Sequence, residues 1–214
     1  MPTPGVLMRL SDAPSADMQA PLAGVDIEAT YNLKADDNKN PSSNTIYFLR
    51  DITPLLSSPD LHDADGEAHR AIAAPHPSWI LCSFINGRDK EAGDSEAQKT
   101  PHVLPTPPPL GSVLVINGST PRPETEEDYH AWYDQEHGAK LTHVPGWRAA
   151  RRYALAGVYG EAETGSFYGI NLYDAENGLG GPEWQAGVTE WTLRIRSNAA
   201  RPNIRRVWRV VQTL

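Results

Sequence analysis

Apolar residues along this chain come in short runs separated by Gly, Pro and charged residues, and most runs are too short for a helix. In the second half, residues 113–117, 147–155, 166–173 and 205–212 read as strands, rich in β-branched and aromatic residues. Residues 124–143 carry a helical pattern instead. Pro123 and Glu124 open it, Glu126, Glu127 and Asp128 suit its first turn, and Pro145-Gly146 stops it. A second helix is expected from Gly180-Gly181-Pro182, with Trp184, Val188, Trp191 and Ile195 as one apolar stripe. The resulting order, βαββαβ, is the ferredoxin-like order.

The first half carries the same punctuation. Gly5-Val-Leu-Met-Arg-Leu matches Gly111-Ser-Val-Leu-Val-Ile, and Gly24 with Tyr31 matches Gly146 with Tyr153. Strands closed by Asp51 and Asp174 are each followed, eight residues later, by Pro and an acid (Pro59-Asp60 and Pro182-Glu183). Trp79-Ile-Leu-Cys-Ser-Phe-Ile85 matches the last strand. The offset is 107 residues from Val6 to Val113 but 122 from Gly24 to Gly146. The first repeat is therefore short by about four helical turns, and it is expected to keep only a loop over 11–23 where the second has its first helix. Residues 87–112, polar and then Pro-rich, read as a linker. The expected division is a degenerate repeat 1–86, a linker 87–112 and a complete repeat 113–214. The uncovered sheet of the first repeat would need a cover, either the linker or a second copy in a homodimer.

The chain has 214 residues and a formal charge of −8, a poor match to nucleic acid or anionic membrane. Cys82 is the sole cysteine, so no intrachain disulfide forms; on a strand without a neighbouring His it reads as a buried thiol. No basic-then-apolar leader opens the sequence and no apolar run reaches the length of a membrane span. These features point to a soluble, cytoplasmic protein. No G-x-G-x-x-G, P-loop or G-x-S-x-G is present, and Asn117-Gly-Ser reads as a turn rather than a glycosylation site. His62, His69, His76, His102 and His143 show no metal-ligand spacing, so no metal is expected.

Chemistry concentrates on the first helix of the second repeat. His130, Tyr133 and His137 lie at i, i+3 and i+7, on one face of a regular helix, and imidazole exchanges protons near neutral pH. Asp134 is placed to orient either histidine, and Glu136 to pair with Lys140. Tyr133 and Tyr153 suit a phenolate or enolate, or core packing. Trp132 fits packing or a ligand platform. On the following strand Trp147, Ala149, Arg151 and Tyr153 alternate onto one face, where Arg151 would clamp a carboxylate or meet an acidic neighbour. Six arginines between 194 and 209 form either an anion patch or partners for acidic side chains.

Trp132-Tyr133, Glu136-His137, Pro145-Gly146-Trp147 and Arg152-Tyr153 together resemble the signature of EthD-like proteins, of the dimeric α+β barrel superfamily. The match covers about 30 residues, is weak in the first repeat, and fails there for the Trp-Tyr-x-x-Glu-His helix. The resemblance implies an α+β fold: two tandem ferredoxin-like repeats closing one dimeric-type barrel within one chain, with at most one site. It implies an enzyme without cofactor, acting on a hydrophobic, oxygenated small molecule of aromatic or polyketide type. His137, Tyr133 and His130 would be catalytic, and Trp132, Trp147, Arg151 and Tyr153 would bind substrate. Cyclisation, decarboxylation or isomerisation lead; a cofactor-free monooxygenase and a non-catalytic ligand-binding or scaffold barrel are the alternatives.

Overall fold

The computed structural model describes residues 1–12, 22, 24–70, 76–90, 100–105 and 107–214, with the backbone alone at residue 69. Its centre is a closed antiparallel barrel of eight strands: β1 (Gly5–Ser11), β2 (Ile27–Ala35), β3 (Ser43–Leu49), β4 (Ser78–Asp89), β5 (Val113–Ser119), β6 (Trp147–Tyr159), β7 (Phe167–Tyr173) and β8 (Ile204–Thr213). Around the barrel they run β1-β3-β2-β8-β5-β7-β6-β4. Each half contributes four adjacent strands, β4-β1-β3-β2 and β8-β5-β7-β6. The two seams are β2 with β8 and β4 with β6.

Strand alternation sorts side chains into a lumen and an outer surface. Val6, Met8, Tyr31, Ile46, Phe48, Ile80, Cys82, Leu114, Ile116, Tyr153, Tyr168, Ile170 and Trp208 meet in the lumen. Leu7, Tyr47, Leu49, Trp79 and Leu81 face out from the first half, under Leu22, α1 (Thr53–Leu56) and α2 (Pro59–Arg70). Val113, Val115, Trp147, Ala150 and Tyr173 face out from the second. This parity corrects the repeat offset: Val6 faces the lumen and Val113 does not, so Val6 corresponds in facing to Leu114.

On the outer face of the first half, Asp65 of α2 accepts from Arg9 Nε at 2.7 Å, from Arg9 Nη2 at 2.8 Å and from Trp79 Nε1 at 2.8 Å. All three side chains are buried. A bidentate pair with a third donor is the arrangement in which a buried charge pair is tolerated.

The linker does not cover that face in its described part. Residues 87–89 belong to β4 and pair with β6. Leu104 then enters the lumen and packs in its apolar cluster with Val103 alongside. The outer face of the first sheet is covered by Leu22, α1 and α2 instead, which removes the reason for expecting a homodimer to cover it. The expected loop over 11–23 falls mostly outside the described residues. Among these, no helix is long and apolar enough to cross a membrane.

The expected second helix of the second half is two helices, α5 (Pro182–Ala186) and α6 (Glu190–Ser197). Gly187 ends the first, and the Thr189 hydroxyl caps the second by accepting from Thr192 N. The stripe is thereby divided. Trp184 packs on the Val113 cluster, whereas Trp191 and Ile195 pack on Tyr129 and Trp132.

Candidate active site

The expected helix 124–143 is built as a 3-10 turn (Pro123–Thr125), α3 (Glu126–Trp132), one π-helical turn (Tyr133–His137) and α4 (Gly138–Leu141). A π turn inserts about one extra residue and rotates the rest of the helix by about 100°. That rotation separates the three residues expected on one face. Trp132 and His137, five apart, now stack with ring centroids 4.2 Å apart, and Tyr133 meets His137 edge-on at 5.2 Å. His130 turns elsewhere, against Phe167 at 4.6 Å and Arg152. It does not join His137.

Tyr133 and His137 press on the outer face of β7. Glycine at 169 makes this possible, since a side chain there would collide with the Tyr133 hydroxyl. Between helix and sheet lies a cavity of about 140 Å³, lined among others by Asn117, Trp132, Tyr133, His137 and Asn171. Among the described residues one buried polar atom here, His137 Nδ1, lacks a hydrogen-bond partner, and the Tyr133 hydroxyl beside it is held by the Asn171 side chain. Burial, and then the charges of Arg196 and Arg152, push the His137 imidazole down to about 4, so it is neutral at pH 7. Burial raises the Tyr133 phenol, against the pull of Arg152.

The cavity shares Asn117, Arg196, Asn203 and Arg205 with a surface depression of about 550 Å³, which also includes Arg201. The six arginines of this region divide accordingly. Arg194 pairs with Asp128 at 2.8 Å, Arg206 with Asp37 at 2.9 Å and Arg209 with Asp36 at 2.6 Å. Arg196, Arg201 and Arg205 have no carboxylate partner among the described residues, and all three border the mouth.

On the other side of Tyr133, the buried Arg152 stacks on its ring at 4.4 Å. Arg152 also donates to Asp134 at 2.6 Å and to His130 Nδ1 at 2.5 Å. Because guanidinium only donates, His130 Nδ1 is the acceptor, and its neutral form carries its proton on Nε2. Burial and Arg152 lower the His130 pKa. Asp134 is thus taken up by Arg152 and Asn86 rather than by a histidine. Glu136 accepts from Thr189 rather than pairing with Lys140.

The face expected on β6 is also divided. A bulge between Trp147 and Ala149 shifts the alternation. Trp147 joins Ala150 on the helix side and donates to Asn171 at 3.4 Å; Ala149 and Tyr153 enter the lumen. Arg151 is occupied by the chain itself, through Asp89 at 2.7 Å and the Val103 carbonyl at 2.9 and 3.1 Å. Tyr153 donates to the His102 carbonyl at 2.6 Å. Both residues anchor 102–104, and neither lines the cavity beneath His137. Arg152 is the arginine on the helix side. It was visible only as half of the Arg-Tyr pair, because alternation counted from Trp147 selects Arg151. Asn171 and Gly169 gave no signal beyond lying in a strand.

Barrel and cleft together define an eight-stranded α+β barrel with a small polar-aromatic cavity under one helix. An anthrone oxidase-like protein superposes with a TM-score of 0.62 at 14% identity, over 99% of this chain and 93% of the other. A candidate monooxygenase of Fusobacterium nucleatum superposes at 0.57 with 7% identity, over 99% and 94%. A third structure, a candidate monooxygenase of Lactobacillus acidophilus, gives 0.51 with 12% identity, over 99% and 98%. These likenesses are of fold. No protein-family model and no curated protein matches the sequence.

Proposed function

We propose that this chain is a cofactor-independent enzyme that uses His137 as general acid–base on an acidic, oxygenated aromatic molecule. The observation that carries the reading is the buried His137 Nδ1, unpartnered among the described residues, with the Tyr133 hydroxyl over the same cavity. Buried polar atoms in folded proteins are normally paired, so an orphaned imidazole nitrogen facing this space is set for a ligand. An imidazole held near 4 is a weak base, which selects an acidic proton such as that of a phenol or a carbon between two carbonyls. His137 removes that proton. The Tyr133 hydroxyl donates to the resulting oxyanion, and the imidazolium, a strong acid here, returns the proton to carbon. The small cavity takes one ring, and the remainder lies in the depression. A carboxylate there meets Arg196, Arg201 and Arg205.

The same half-reaction serves two outcomes. Decarboxylation, cyclisation or isomerisation ends with the proton returned. Monooxygenation lets the carbanion meet O₂, one oxygen entering carbon and the other leaving as water with electrons from the substrate's own CH₂ group. The oxidase-like and monooxygenase-like names of the fold neighbours favour the second as much as the first. The matching strand order of the two halves supports the tandem ferredoxin-like reading, and the Trp132-to-Tyr153 signature supports an EthD-like origin.

Replacing the native gene by its His137→Ala form and comparing metabolite masses tests this. One product is expected to vanish and one precursor to accumulate. Their mass difference separates loss of CO₂, no change and gain of oxygen, and oxygen uptake by the purified protein on that precursor separates the two outcomes. An unchanged profile, where deletion of the whole gene changes it, would overturn the assignment of His137.

A further inference from the structure

Another cavity lies on the other side of the sheet. It occupies the barrel lumen, has a volume of about 860 Å³, and is walled by Met8, Ile80, Ile116, Tyr168 and Trp208. An eight-stranded barrel is either filled by its own side chains or holds one small ligand. Gly118 in the cavity wall contributes no side chain to fill this space. The Leu104 segment packs into the lumen cluster, pinned by Tyr153 and Arg151, yet none of 102–104 lines the cavity.

Two lining side chains, each about 99% buried, have polar atoms without a partner among the described residues: Asn44 Oδ1 and Trp208 Nε1. One is an acceptor and the other a donor. The rim mixes Lys39 and Arg205 with Asp12, Glu161 and Glu163, and Arg206 is already engaged by Asp37, so no single charge is favoured. We infer that the lumen is a second ligand site, taking an uncharged hydroxylated aromatic molecule whose oxygen accepts from Trp208 Nε1–H and whose hydroxyl donates to Asn44 Oδ1. This site uses none of the chemistry at His137, which lies on the other face of the sheet, although Asn203 and Arg205 border both cavities.

The test compares 2-naphthol with naphthalene on the full chain by calorimetric titration, with the Trp208 indole N–H followed by NMR and assigned through Trp208→Phe. Saturable binding of 2-naphthol is expected, with a shift of the Trp208 N–H that follows the lumen Kd, which is the one isolated in the His137→Ala background. Naphthalene should bind about tenfold more weakly, the worth of about one net hydrogen bond. Trp208→Phe with Asn44→Val should bring the two ligands to nearly equal affinity. Ile116→Trp, which fills the lumen, should abolish binding. His137→Ala, outside the barrel, should leave the Kd within about twofold. Equal affinity of the two ligands for the wild type would overturn the proposal. So would an unmoved Trp208 signal at saturation, or binding lost with His137→Ala. If Ile116→Trp does not fold, the Trp208→Phe comparison and the indole signal still decide the matter.

Discussion

The outer faces of the two halves are built alike and finished differently. In both, a four-stranded sheet lies under helices. In the first, α2 brings Asp65 onto Arg9 and Trp79, and the three buried groups satisfy one another. In the second, the helix between β5 and β6 brings Tyr133 and His137 onto Gly169 and Asn171 and leaves His137 Nδ1 unpaired beside a cavity, among the described residues. A closed polar network stabilises one conformation. An open one carries a desolvation penalty that a ligand relieves, and is retained where a ligand binds.

The largest expected effect breaks the closed side. Asp65→Ala removes the carboxylate that accepts from Arg9 and Trp79 and should lower unfolding free energy by about 3–5 kcal/mol in a denaturant titration. Arg9→Met with Asp65→Leu should be far milder, because an apolar pair of similar size leaves no orphaned charge.

The open side should reveal itself through pH. The His137 pKa falls from 6.5 in the unfolded chain to about 4 in the fold, so between these values the unfolded state binds more protons. Stability from this group is present above 6.5 and is lost as pH falls toward 4. Against His137→Gln, the wild type should lose about 3 kcal/mol across that window, read from unfolding free energies at several pH values.

Next in size is catalysis. On the accumulated precursor, His137→Ala should lower kcat by about 100-fold, with the acid limb of the wild-type pH profile near 4 rather than 6.5. The smallest effect is at the mouth. Arg205→Ala should raise KM by about fivefold for a carboxylate substrate while leaving kcat unchanged, since its contact is solvated and remote from the reacting atoms.

Much of this difference was legible in the sequence. The short apolar runs placed all four strands of the second half, and Trp132-Tyr133 with Glu136-His137 marked the helix that carries the cavity. What stayed hidden were three local irregularities that alternation and helical periodicity presuppose away. The π turn at Tyr133–His137 parted His130 from His137. The bulge after Trp147 exchanged Arg151 for Arg152 on the helix side. The Thr189 cap divided one apolar stripe between two helices. The lodging of Leu104 in the lumen was equally invisible, because a Pro-flanked Val-Leu pair in a polar segment has no periodicity to read.

The central claim is that the unsatisfied face is the site and the satisfied face is scaffold. The most direct measurement is one metabolite comparison across three native-gene replacements: wild type, His137→Ala, and Arg9→Met with Asp65→Leu, each confirmed folded by circular dichroism. The account predicts that His137→Ala alone accumulates a precursor and that the double variant matches the wild type. A precursor accumulating in the folded double variant, with His137→Ala indistinguishable from wild type, would contradict it and move the chemistry to the other half of the barrel.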